Sequence, residues 1–372
     1  MRKHYDSKAA QEGPQIARDA RLQYVTDSRK GVCRVAYGTG FKYRDSSGHP
    51  VAEDSVLRRI KALAIPPAWK DVWICPLENG HLQATGRDDL RRKQYRYHRR
   101  WRAVRDETKY NRMLAFAKVL ARIRHQVARD LRAAALSKRQ VLAAVVQLLE
   151  LSLIRVGNDE YAQKNHSYGL TTMKDRHVEI FGSTIEFHFR GKSGKEHSVE
   201  IHDARLARIV RDCRDIPGQD LFQYIDETRE RQHVRSEDVN EYLREISGGD
   251  FTAKDFRTWA GTVLAGVALR EFQTFDSLAQ AKRNVVRAVE SVAARLGNTP
   301  AICKKCYIHP EILEGYLEGT MIETVRKRAE AELKAGLHPL RSEEAAVVAF
   351  LQYRLAKKEH PLESHRAASA TG

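Results

Sequence analysis

VEIFGSTIEFHFRGKSGKEHSVEIH, residues 178–202, is a strand-like island in a part of the chain that otherwise reads as helix. Ile185, Phe187 and Phe189 alternate with Glu186, His188 and Arg190, and Val199 and Ile201 resume the alternation after Gly-Lys-Ser-Gly-Lys. A period of two with a glycine-flanked break is the pattern of a β-hairpin, which places Lys192 at or near its tip. Upstream, Ser137 followed by Gln140 is a capping-box start. Behind it Val141, Leu142, Val145, Leu148, Leu149 and Leu153 recur at helical spacing, in a helix expected to run to Arg155. Helical patterning begins near Asp106 and, apart from the island, continues to RSEEAAVVAFLQYRLAKKE at 341–359.

The first hundred residues have a different grain. VCRVAYGTGFKYRDSSGHPV (32–51) alternates and then breaks at Ser46-Ser47-Gly48; VWICPLENGHLQATG (72–86) offers Asn79-Gly80 as a hairpin turn. A short helix, EDSVLRRIKALAI (53–65), lies between them and stops at Pro66-Pro67. The expected fold is α+β: a small β-rich N-terminal domain over 1–105, a mainly helical domain with a β-hairpin over 106–359, and a flexible polar tail over 360–372.

Lys and Arg number 65 against 48 Asp and Glu, a net charge of +17. That excess favours a polyanionic partner, which basic side chains can hold through counterion release without reading sequence. Residues 91–105, RRKQYRYHRRWRAVR, concentrate it: eight Lys/Arg and no acid, with Tyr95, Tyr97 and Trp101 interleaved. Rings among cations suit a surface that grips phosphates while stacking on sugars or bases, and Arg96, Arg99 and Arg100 belong to it. Five cysteines, an odd number, do not form a disulfide framework, and Cys303-x-x-Cys306 lacks the second pair a zinc site needs. No apolar run approaches the ~20 residues that span a bilayer, and MRKHYDSKAAQEG lacks the apolar core of a signal peptide. The expectation is a cytoplasmic protein, associated with the nucleoid.

The chemistry-bearing positions are individually ordinary. Arg155 alone reads as a structural ion pair, with Asp159 or Glu160 as the partner nearby in sequence, and Lys192 as a solvated turn lysine. Lys254 and Arg257, in KDFRTWAGT (254–262), read as charges at a capped helix start, and Tyr307, in LGNTPAICKKCYIHP (296–310), as a half-buried tyrosine. A phenol, with a pKa of roughly 10, is a poor nucleophile unless cations surround its target. Here the cations recur in order: Arg, a Gly-Lys hairpin, Lys-x-x-Arg, then Asn-x8-Tyr.

That order resembles the type IB DNA topoisomerases, in the compact viral-like form found in bacteria. The resemblance covers nearly the whole chain and is strongest in LIRVGNDEYAQKNHSYGLTTMKDRHV (153–178), FRGKSGKEH (189–197), KDFRTWAGT and LGNTPAICKKCYIHP. It implies that Tyr307 attacks a backbone phosphorus, leaving a 3′-phosphotyrosyl link and a free 5′-hydroxyl. It implies that Arg155 and Arg257 clamp the non-bridging oxygens, that Lys192 protonates the departing 5′ oxygen, and that Lys254 assists. The viral members carry His where this chain has Asn298, whose amide can donate to a phosphate oxygen but can neither carry charge nor titrate. Relaxation of supercoiled double-stranded DNA by a monomeric clamp, without metal, nucleotide or other cofactor, is the implied activity. Consistent with that, no GxxxxGK[ST] loop or DxD-type acidic cluster is present. A tyrosine recombinase is the nearest alternative, although its usual His three residues before the second Arg is replaced by Lys254. A non-catalytic basic DNA-binding protein would explain the charge but not the ordered Arg, Lys, Arg, Tyr series.

Overall fold

The computed structural model describes residues 13–89, 91, 93–133, 136–272, 275–321 and 340–359; the side chains of 105–109, 161, 358 and 359 lie outside that description, as does the expected tail at 360–372. The chain divides into two compact units at Asn111/Arg112.

The N-terminal unit is built on an antiparallel sheet of β1 (Val32–Tyr37), β2 (Gly40–Arg44), β3 (Lys70–Ile74), β4 (Leu82–Arg87) and β5 (Lys93–Tyr97), ordered β2-β1-β3-β4-β5. Alternation decides its faces, with a register shift between Leu82 and Ala84 that puts these two on opposite sides. Val32, Val72, Ile74 and Ala84 bury one side against Ile60 of helix α1 (Asp54–Ala62). On the other side Leu82 meets Cys75 and Val25, with Trp73 and Tyr97 packed alongside. The alternating run 32–51 is interrupted earlier than its Ser-Ser-Gly break implied: Tyr37 pairs with Gly40, and Gly38 takes φ +56° in the tight turn between β1 and β2. Ser46-Ser47-Gly48 forms a turn as well, organised by the Asp45 carboxylate, which accepts from the N–H groups of Ser47 and His49. Asn79-Gly80 lies within the longer connection from β3 to β4, where the Asn79 carbonyl accepts from Gln23 N–H at 2.9 Å.

Helix α2 (Arg99–Asp130) begins before the expected Asp106. Its first turn has no apolar stripe to announce it, because Trp101 alone supplies the buried contact, with Ala17, Ala20 and Leu22.

The second unit is mainly helical. Helix α3 (Lys138–Ser152) is buried through Val141, Leu142, Val145, Leu148 and Leu149. The Ser137 hydroxyl caps it by accepting from Gln140 N–H, but the Gln140 amide does not return the bond; it donates to the carbonyls of Leu131 and Ala133. The helix stops at Ser152, with Leu153 in the left-handed conformation at φ +57°. Arg155 therefore lies in the loop beyond the helix, not at its end. After α4 (Asp159–Asn165) the predicted island forms a three-stranded meander, β6 (Val178–Phe181), β7 (Thr184–Arg190) and β8 (Glu196–His202). Helix α5 (Ala204–Arg214), the small hairpin of β9 (Gln223–Ile225) and β10 (Arg231–His233), and α6 (Ser236–Ser247) lead to α7 (Ala253–Glu271). The remaining described helices are α8 (Leu278–Leu296), α9 (Pro300–Cys306), α10 (Pro310–Leu317) and α11 (Ser342–Glu359).

A buried ionic network ties α2, α3, α7 and α11 together. Arg124 donates two bonds to the Glu344 carboxylate and one to Glu150, and the Trp259 indole also donates to Glu344. Burial pushes the Glu344 carboxyl up, but its bonds from Arg124, Arg341 N–H and Trp259 outweigh this and hold it below the usual carboxylate range. Removing one partner leaves a buried charge uncompensated, so Arg124→Met should cost about 3 kcal/mol in urea unfolding. The Glu344 contribution is complete above an unfolded value near 4.3 and is lost as pH falls through the lower folded value. Glu344→Gln should accordingly flatten the stability–pH slope below about pH 4.3; an unchanged slope would show that the network does not carry acid sensitivity.

Candidate active site

Arg155, Lys192, Lys254, Arg257 and Tyr307 all line one cavity of about 350 Å³ in the second unit. They come from the loop after α3, the β7–β8 turn, the first turn of α7, the body of α7 and the end of α9. Asn298 stands directly behind Arg155: its side-chain oxygen accepts from Arg155 Nη2 at 2.5 Å. No bond joins Arg155 to Asp159 or Glu160 among the described residues, so the ion-pair reading of Arg155 does not hold.

Arg257 is the most constrained of the set, only 4 % exposed. Its guanidinium donates to the carbonyl of Leu153, the cap of α3, and at 2.7 Å to the carbonyl of Leu296, the last residue of α8. Those are helix C-terminal carbonyls, short of intrahelical donors and at the negative end of the helix dipole, so a cation suits them. Burial, and then the nearby Arg155, push Arg257 down to about 10, leaving it protonated at neutral pH. The guanidinium also sits over the Tyr307 ring, 5.4 Å from its centroid. Two buried donors on these residues, Arg257 Nε and Asn298 Nδ2, have no hydrogen-bond partner among the described residues.

Tyr307 is the C-cap of α9, a short helix started by the Thr299 hydroxyl and Pro300. Its backbone is seated on α7: the Tyr307 carbonyl accepts from Thr262 Oγ1 at 3.2 Å, and Thr262 Oγ1 in turn accepts from His309 N–H. Gly261 makes the seat possible, because a Cβ there would lie 2.7 Å from the Tyr307 carbonyl oxygen and 3.0 Å from Tyr307 Cβ.

The two lysines are the exposed members. Lys192 rides on a turn that closes through Gly191 N–H to the Lys195 carbonyl, with Ser193 and Gly194 both at positive φ. Lys254 lies in the first turn of α7, where a cation opposes the helix dipole. Ala253 and Lys254 both line the cavity, so the positive end of α7 faces it, as it would an anion.

The basic stretch of the N-terminal unit is split by its secondary structure. Tyr95 and Tyr97 share one face of β5 with rings stacked at 5.9 Å, Tyr95 being 46 % exposed. Arg99 and Arg100 are exposed at the start of α2. Arg96 points the other way, donating to the Ala64 carbonyl and lying over Trp69. Trp101 is buried, so it is not part of an exposed aromatic surface.

His197 and Gly261 were not singled out by the sequence. The alternation His197, Val199, Ile201 carried the signal for His197, since it puts the ring on the inward side of β8.

Two family models match the chain. Residues 98–336 match the catalytic core of eukaryotic DNA topoisomerase I, and residues 40–88 match the N-terminal domain of bacterial DNA topoisomerase IB. The DNA topoisomerase 1B of Acanthamoeba polyphaga mimivirus is 31% identical over 294 residues, covering 77% of this chain and 88% of the relative. That of Vaccinia virus (strain Copenhagen) is 23% identical over 295 residues, covering 75% and 88%. The chain belongs to the type IB DNA topoisomerases, of the compact type shared by bacteria and large DNA viruses. It is a DNA topoisomerase, with DNA as substrate and DNA relaxation as the activity its family implies.

Gly261→Ala tests the seat of Tyr307. The added methyl must push the tyrosine backbone away from α7, and a shift near 1 Å can cost about 10²-fold in rate. Single-turnover strand cleavage should fall by roughly that factor while DNA binding is kept; an unimpaired rate would mean that this contact does not set the tyrosine's position.

Proposed function

We propose that this enzyme relaxes supercoiled duplex DNA without ATP or metal, through a 3′-phosphotyrosyl intermediate formed on Tyr307. The observation that carries this reading is the convergence of Tyr307 with four cationic side chains, Arg155, Arg257, Lys192 and Lys254, on one cavity. The Tyr307 oxygen forms a bond to phosphorus and gives up its proton to solvent as the P–O5′ bond breaks. Charge grows on the non-bridging oxygens and on the leaving 5′ oxygen. Arg155, Arg257 through its unpartnered Nε, and Asn298 through its unpartnered Nδ2 are the donors for the former. Lys192, with Lys254 assisting, delivers a proton to the latter. Removing one preorganised donor of this kind typically costs about 10²–10³ in rate.

Religation is the reverse: the 5′-hydroxyl gives its proton back and displaces the tyrosine. The phosphotyrosyl ester conserves the energy of the broken bond, so no nucleotide is needed. Between the two steps the free end swivels and linking number changes. The N-terminal unit contributes to a monomeric clamp, using Tyr95, Tyr97, Arg99 and Arg100 on the duplex, while Arg96 braces the sheet. The setting is the cytoplasm, at the nucleoid. A recombinase reading would need the same catalytic groups, but the match of residues 40–88 to a topoisomerase N-terminal domain favours relaxation.

Relaxation of both positively and negatively supercoiled plasmid in EDTA, without ATP, is the expected result. Strict dependence on added metal or nucleotide would overturn the proposal. For Lys192 the expected outcome is narrower. Lys192→Ala should slow cleavage of an ordinary phosphodiester by about 10²-fold or more. It should regain the rate on a 5′-bridging phosphorothiolate, whose thiolate leaves without a proton.

A further inference from the structure

His197 is among the side chains of the cavity that have no part in that scheme. It lines the cavity, half-buried, on β8 beside the lysine-bearing turn. It is the direct cross-strand partner of Phe189, and the two rings stack at 5.0 Å with planes 9° apart. Around the imidazole the backbone closes from two elements. A Cβ on Gly191 would lie 2.5 Å from His197 Cδ2, and a Cβ on Gly297 would lie 2.4 Å from His197 Cε1. Gly297 needs to be glycine in any case, at φ +61° at the end of α8. Gly191 does not, because its φ of −94° suits any residue. Its missing side chain is explained by the space the imidazole occupies.

The ring thus fills a slot between the turn that carries Lys192 and the turn that carries Asn298. A second link runs alongside it, from Lys195 Nζ to the Asn298 carbonyl at 3.3 Å. Asn298 continues to Arg155 through its side chain. We propose that His197 is a positioning residue: wedged between Gly191 and Gly297, it docks the β7–β8 turn on the Gly297–Asn298 turn and so holds Lys192 in register with the rest of the site. This inference rests on the proton-donating role proposed above for Lys192. Burial, then Arg155, Arg257 and Lys195, push the imidazole's pKa below its ordinary value, against a smaller opposing effect of Glu196. A neutral ring suits a wedge among cations.

The test compares His197→Ala, Gly191→Ala and Lys192→Ala in single-turnover cleavage of the same duplex, carrying either an ordinary phosphodiester or a 5′-bridging phosphorothiolate at the scissile position. His197→Ala should lose about 10²-fold on the ordinary linkage, recover on the phosphorothiolate as Lys192→Ala does, and bind DNA as before. His197→Phe, which keeps a flat ring against Phe189, should retain most of the rate. Gly191→Ala, whose methyl pushes the ring out, should repeat the loss with the histidine still present. Combining it with His197→Ala should add little, because the clash is gone. If Lys192→Ala is rescued but neither His197→Ala nor Gly191→Ala is, the histidine does not act through Lys192 and the inference fails. Unimpaired cleavage by both would overturn it equally. If Lys192→Ala itself is not rescued, the proton-donor reading falls first and the inference with it.

Discussion

A buried guanidinium joined to two helix ends holds this site together. Arg257 cannot remain 4 % exposed and charged without partners, and the chain supplies them as the terminal carbonyls of α3 and α8. The same contact ties the ends of both helices to α7. Beyond the α3 end comes the loop with Arg155; beyond the α8 end come Gly297 and Asn298. The bond from Arg155 to Asn298 closes that ring of elements. Tyr307 lies against Arg257 from one side and against Gly261 of the same helix from another. In the mechanism proposed above, the donors and the nucleophile would therefore be arranged before any phosphate arrives, which is what electrostatic catalysis requires.

The two lysines to which the proposed mechanism gives the proton transfer stand apart from this frame. Lys192 and Lys254 are exposed, where Arg257 is buried and Asn298 is bonded to Arg155. A proton donor must move its proton with the leaving oxygen, whereas an oxyanion donor should not move at all. The division of burial matches the division of labour in the proposed mechanism. His197 stands at the join, on a strand of the hairpin but packed against the frame.

Much of this was legible in the sequence where periodicity or order carries information. The hairpin at 178–202, the apolar face of α3 and the α+β division follow from periods of two and of 3.6. The ordered series from Arg155 to Tyr307 carried the family resemblance, which the matches over 40–88 and 98–336 bear out. Three things were not legible for physical reasons. The start of α2 is hidden because a helix turn with a single buried residue, Trp101, has no period to read. The side each residue of 91–105 faces depends on where β5 ends and α2 begins; that boundary sends Arg96 to Trp69 and Tyr95 to the opposite face. The slot around His197 is made by Gly191 and Gly297, from elements distant in the chain, and only the folded structure joins them.

Covalent trapping tests the central claim most directly. A duplex with a scissile 5′-bridging phosphorothiolate should cleave and accumulate as a protein–DNA adduct, since the departed thiolate religates poorly. Digestion and mass spectrometry should place the 3′-phosphoryl group on the peptide containing Tyr307, and Tyr307→Phe should give no adduct while still binding DNA in a salt-sensitive manner. A DNA-bearing peptide elsewhere in the chain, or an adduct that survives Tyr307→Phe, would contradict the account.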